Sequence, residues 1–195
     1  MTDRLGDFTD FTDELVDRLI DMPRGPTPEE IATAMVWVGR LQAEIFILDL
    51  KSELLPPADE LAQVAHVAWS MTETPEGGLE DLMTEVGYRE DGEPATPPPE
   101  VVLYRAAATA HARDACWTAS LQVARQHAHR LAVYAVAHGG ADPAPSRIYR
   151  AVVPGEHLLA HITDRGEDEH PVSAEYRSSM EIEKVEIIEL DDLDL

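Results

Sequence analysis

Two glutamates set one residue apart, Glu167 and Glu169, are the first feature of this chain that could carry chemistry. In an extended strand, residues two apart point to the same face, so the pair would share a face and Asp168 would point away. Like charges held that close are costly unless a cation, a substrate or a shared proton offsets them. The pair is therefore a candidate site, and a solvated turn in an acidic protein is the plainer reading of the same residues. Arg105 is the second candidate. It falls in Glu100-Val-Val-Leu-Tyr-Arg-Ala106, where Val101, Leu103 and Arg105 alternate against Val102 and Tyr104. An arginine sharing a face with apolar residues either binds an anion or serves as an internal salt bridge or edge-strand charge. Thr118 and Ser120 precede a helical run and suit helix capping. Cys116 has no histidine placed beside it by sequence, which makes it a poor nucleophile candidate. His127 and His129, two apart on a helix, diverge and do not chelate. The sequence has no Gly-rich phosphate loop, zinc-ligand spacing or serine–histidine–aspartate order, so no metal site is expected.

The elements that must position these residues lie in the second half of the chain. Glu100 to Ala106 reads as a strand, Ala115 to Ser120 as a short segment, and Leu121 to about Ala137 as a helix carrying Val123, Ala124, His127, Leu131 and Tyr134. His138-Gly-Gly is a helix end with glycine at its C-terminus. Ile148 to Val153 reads as a strand, Glu156 to Ile162 as a short helix or turn, and the chain through Glu167 and Glu169 as a further strand. Met180 to Leu190 alternates imperfectly and reads as a closing strand, with a frayed acidic tail over 191–195. The expected class is α+β.

The first half reads differently. A helix ending near Ile20 is expected behind a cap at Asp10 or Thr12, with Phe11, Leu15, Val16, Leu19 and Ile20 on one face. Thr27-Pro-Glu-Glu is a strong helix start, with Thr27 as N-cap, Pro28 in the first helical position and Glu30 closing a capping box. The helix behind it is expected to run to about Leu54 with Ile31, Met35, Val38, Leu41, Ile45 and Leu48 as its apolar stripe. Further helices are expected from Asp59 to about Met71, presenting Leu61, Val64, Ala65, Ala68 and Trp69, and from Leu79 to Val86. Trp37, Trp69 and His66, at helical spacing, are expected in the core. Three consecutive prolines within Asp91-Gly-Glu-Pro-Ala-Thr-Pro-Pro-Pro-Glu100 favour a stiff connector. The anticipated division is a helical module over 1–90, a linker over 91–98, an α+β domain over 99–190 and the tail.

Bulk properties bound the function. The 195 residues suit one ordinary domain or two small ones, and 44% are hydrophobic, enough for a core. Net charge is −23, which disfavours ordinary nucleic-acid binding and leaves room for basic partners or nucleic-acid mimicry. The charge is uneven: residues 1–98 hold 22 acids and 6 bases, 99–170 hold 8 and 7, and 171–195 hold 8 and 2. A single cysteine fits a reducing compartment, and neither a secretion signal nor a membrane span is read from the sequence. A soluble cytoplasmic protein is expected.

The order of motifs says more than any one of them. Tyr104-Arg105-Ala106, Cys116-Trp117-Thr118-Ala119, Tyr149-Arg150-Ala151, Leu158-Leu159-Ala160 and Arg165-Gly166-Glu167-Asp168-Glu169 follow one another over roughly residues 99–190. The series resembles the ADP-ribosyltransferase fold of the arginine–serine–glutamate type. It is similar also to small phage and actinobacterial proteins with a Tyr-Arg-Gly … Trp-Thr … Arg-Gly-Glu-x-Glu pattern. The resemblance implies an NAD-dependent mono-ADP-ribosyltransferase acting on a protein. Arg105 would bind the pyrophosphate or ribose of NAD. Thr118 would hold the catalytic glutamate and the nicotinamide ribose, with Trp117 packing beneath. Glu169 would stabilise the oxocarbenium-like state, and Glu167 would orient or deprotonate the acceptor, often an arginine. Ala106, Cys116 and His170-Pro171 depart from the family pattern. A catalytically silent binding module, or an acidic decoy engaging a basic host protein, is the alternative.

Overall fold

The computed structural model describes residues 13–23, 25–38, 43–54, 58–71, 77–137, 146–163 and 166–188. The anticipated caps Asp10 and Thr12, the glycine stop at 139–140, Arg165 and the tail lie outside them. The fold is α+β, with helices first and sheets after. It divides into two compact units, residues 1–87 with 92–94, and residues 88–91 with 95–195. No helix among the described residues is long and apolar enough to cross a membrane.

The first unit holds helices α1 (13–20), α2 (Pro28–Val38), α3 (Ala43–Leu54), α4 (Ala58–Met71) and α5 (Gly77–Val86), together with the two-residue strand β2 (Glu93–Pro94). Thr27 and Glu30 form the reciprocal capping box: the Thr27 N–H donates to Glu30 Oε2 at 2.9 Å, and the Glu30 N–H donates to Thr27 Oγ1 at 3.4 Å. Ile31, Ala34, Met35 and Val38 are the buried stripe of α2. Leu61, Val64, Ala65, Ala68 and Trp69 of α4 are all buried, as their spacing predicts.

Two expectations fail in this unit. The stretch read as one helix from Pro28 to about Leu54 is two, α2 and α3. Gly39 falls in the sequence between them, and glycine inside a helix costs about 1 kcal/mol relative to alanine. Trp37 was expected in the core and is 72% exposed. The buried face of α2 passes through Ala34, Met35 and Val38, so position 37 turns toward solvent. There it borders a hollow of ≈ 530 Å³ lined by Leu15, Leu19, Met22 and Ala34.

The second unit is built on a five-stranded antiparallel sheet. Its strands are β3 (Glu100–Ala107), β4 (Cys116–Thr118), β5 (Ser146–Pro154), β7 (Glu169–Pro171) and β8 (Glu183–Ile188), in the order β7-β4-β3-β5-β8. β1 (Arg89–Glu90) pairs in parallel with β6 (Ala160–His161). Helix α6 (Leu121–Ala137) lies between β4 and β5 in the chain, and α7 (Ala174–Arg177) precedes β8. Ala124 and Ala128 of α6 pack on Ile148, Tyr104 and Ala106, which fixes one face of the sheet. Leu103, Ala107, Trp117, Tyr149, Ala151 and Val153 share a core with Val172 and Met180 on the other. The alternation of strand residues across a pleated sheet accounts for both sets.

The proline stretch ends in a tight contact. The Gly155 N–H donates to the Pro99 carbonyl at 2.9 Å, and a Cβ on Gly155 would sit 1.8 Å from the Pro98 oxygen. Only glycine admits that approach of two backbones.

Candidate functional site

β3, β4 and β7 are neighbours, so the Arg105, Thr118 and Glu169 strands lie side by side. Tyr104 is in register with Thr118, and Thr118 with Glu169. Register partners in an antiparallel pair point to the same face, so Thr118 and Glu169 meet across the β4–β7 ladder. Both are buried, at 8% and 7% exposure. Arg105 and Trp117 are the adjacent positions, so they belong to the opposite face. The residues are brought together in pairs, Thr118 with Glu169 and Arg105 with Trp117, not as one cluster.

Arg105 is held by the connection into β4. Its Nε donates to the His111 carbonyl at 2.9 Å, Nη2 donates to Asp114 Oδ2 at 3.0 Å, and Nη1 donates to the Cys116 carbonyl. Trp117 Nε1 donates to the Asp114 carbonyl at 3.0 Å, so both side chains of this face brace the same loop. The internal salt bridge anticipated as one role for Arg105 is therefore present. The Thr118 hydroxyl donates to the Glu167 carbonyl at 2.7 Å and accepts the Ser120 N–H at 3.1 Å. Ser120 Oγ accepts the Val123 N–H at 3.3 Å, the cap its sequence position suggests.

The two glutamates do not sit in one extended strand. β7 starts at Glu169, and Asp168 has φ of +49°, a left-handed conformation that aspartate tolerates better than most residues. That residue ends the period-two alternation on which a shared face rests. Glu167 instead turns to α6, with Oε1 3.3 Å from Arg130 Nη2 and 3.5 Å from His127 Nε2. Pro171 lies in β7, the outermost strand of the sheet, where the missing N–H is tolerated.

The same turn builds a constellation that spacing did not suggest. Ile162 and Glu169 exchange both backbone hydrogen bonds at 2.8 Å, which places His161 opposite His170 in the neighbouring, closer pair. Their imidazoles stack with centroids 4.3 Å apart and planes 5° from parallel. Asp168 Oδ1 lies 2.7 Å from His161 Nε2 and 3.8 Å from His170 Nε2. His170 is buried, which pushes its pKa down to about 4, with the nearby His161 acting in the same direction and Asp168 opposing. A signal existed in the sequence. Reading 161–170 as a hairpin about Gly166, whose φ is +67°, sets the two histidines opposite each other.

No family model, curated protein or solved structure matches this chain.

Proposed function

We propose that the second unit is an ADP-ribosyltransferase-like domain using NAD, with Glu169 as its carboxylate and Thr118 beside it. The observation that carries this reading is the strand order. The arginine, threonine and glutamate strands of the motif series are adjacent, and Thr118 faces Glu169 in register. A carboxylate fixed by a strand pair is preorganised to stabilise positive charge developing on ribose as nicotinamide leaves. Trp117, on the opposite face, supports the site only through the loop it braces. Glu167, beside Arg130, would act on the acceptor protein once that pair opens.

A second reading is favoured by Arg105. Its guanidinium is engaged by two carbonyls and Asp114 on the face opposite Glu169, a poor start for gripping a pyrophosphate. This describes a silent member of the fold that captures a basic protein through a surface of net charge −23.

Incubation of wild type and Glu169→Ala with labelled NAD and a bacterial lysate separates the two. Label transferred to a lysate protein, or nicotinamide released, by wild type alone supports the transferase. Silence in both with no NAD binding sinks it. Salt-sensitive capture of a basic protein, unchanged by the substitution, then supports the binding module.

A further inference from the structure

We propose that His161, Asp168 and His170 form a binding site for one divalent first-row transition-metal ion of the zinc class. The three side chains offer donor atoms that all lie within 4.8 Å of one another. Both Nε2 atoms approach the same carboxylate oxygen, at 2.7 and 3.8 Å. Bonds of ~2.0–2.1 Å in tetrahedral geometry put donor atoms ~3.3 Å apart. The shorter separation must open and the longer must close, each by roughly half an ångström on that geometry. The stacked rings, 5° from parallel, must tilt out of their stack to aim both in-plane lone pairs at one ion.

A second observation points the same way. The His170 side chain is only 6% exposed, yet its Nδ1 has no hydrogen-bond partner and its Nε2 lies beyond hydrogen-bond reach of Asp168. An ion on Nε2 would engage that nitrogen, on a ring otherwise held by its stack on His161, and would leave Nδ1 to carry the ring proton. Asp168 alone is shared by two imidazoles, and a cation between them lets one carboxylate serve both. The left-handed backbone at Asp168 is what carries the carboxylate to this position.

The donor set selects the ion. Two imidazoles and one carboxylate suit zinc, cobalt, nickel or iron(II), whereas magnesium and calcium prefer oxygen ligands. His161 and Asp168 are 26% and 41% exposed at their side chains, so solvent reaches the site and water completes the coordination. The ion would occupy the face of β7 opposite the Glu169 side chain, independently of any NAD chemistry.

The test is zinc titration of chelator-treated full-length protein by calorimetry, in millimolar magnesium to saturate the acidic surface. Histidine ring signals are followed by NMR in the same samples. One equivalent is expected to bind, shifting the His161 and His170 resonances. His161→Ala and Asp168→Asn should each weaken binding by more than the roughly 10–100-fold typical of outer partners, while His127→Ala leaves it unchanged. Asparagine tolerates the left-handed backbone, so Asp168→Asn keeps the turn and provides a test even if a histidine variant fails to fold. Absence of binding to folded wild type overturns the proposal. So does affinity unchanged in His161→Ala and Asp168→Asn, or lost in His127→Ala.

Discussion

Among the described residues of the helical unit the least exposed side chains are Met35, Phe46, Ala68 and Leu79, and Thr27 and Glu30 do their hydrogen bonding at a helix start. In the second unit Thr118, Glu169 and His170 are buried within a few positions of Trp117, Leu103 and Val172. The contrast follows from how the backbone is satisfied. A helix closes its hydrogen bonds within itself, so the core of this unit is mostly apolar and its buried polar residues, Ser70 and Glu80, sit in the end turns of α4 and α5. Short strands such as β4 and β7 are joined by irregular segments whose carbonyls need donors from Arg105, Thr118 and Trp117. In the second unit buried polar chemistry is thus a by-product of the sheet's connections, and it is there that the candidate site arises.

The largest effect tests the apolar side of this contrast. Trp69→Ala should cost the helical unit about 3–5 kcal/mol, whereas Trp37→Ala should stay within about 0.5 kcal/mol. Urea unfolding followed by circular dichroism measures both. Equal losses would mean that Trp37 is covered and that the exposed face of α2 is wrongly assigned.

The next effect sharpens the polar side. His170 takes up its proton near pH 6.5 when unfolded and only near about 4 when folded. Between those values the unfolded state binds more protons, so stability falls as pH drops through this window. The contribution lost is at most on the order of 3 kcal/mol. In metal-free protein, His170→Phe keeps a ring in the stack and should remove that part of the slope. A slope identical to wild type would show that His170 titrates normally.

The smallest effect returns to the helix start. Thr27→Ala removes one arm of the capping box and should cost about 1 kcal/mol, read as a lower urea midpoint. Thr27→Ser should restore most of it.

The sequence made α4, the extent of α6 and the capping box legible because their signals are local, although on α6 the buried residues are Ala124, Ala128 and Ala132 and Leu131 is exposed. It also placed Arg105 in a strand and marked an internal salt bridge as one of its roles. Trp37 was misread because a tryptophan at helical spacing says nothing of which side of the stripe it falls on. Glu167 and Glu169 were assigned one face because alternation was carried through Asp168, whose positive φ is a property of the turn. His161 and His170 meet through the Ile162–Glu169 bridge, a pairing that only a hairpin reading about Gly166 brings out, because neighbours across a ladder leave no fixed spacing in the chain.

The β3–β5 ladder has a consequence for how the molecule comes to be folded. It pairs Glu100 with Pro154 and Ala107 with Arg147, so α6 and its flanks form a loop that must close before any rung forms. Closing such loops costs entropy ahead of the contacts that repay it, and chains rich in distant pairings fold more slowly than helical ones. On a ribosome the helical unit is complete first and can collapse while β5 and β8 are still being made. During that interval β3 has an open edge of Val101, Val102, Leu103 and Tyr104. The acidic residues 1–98, already made, keep such half-made chains apart by repulsion, a use for the charge that requires no partner at all.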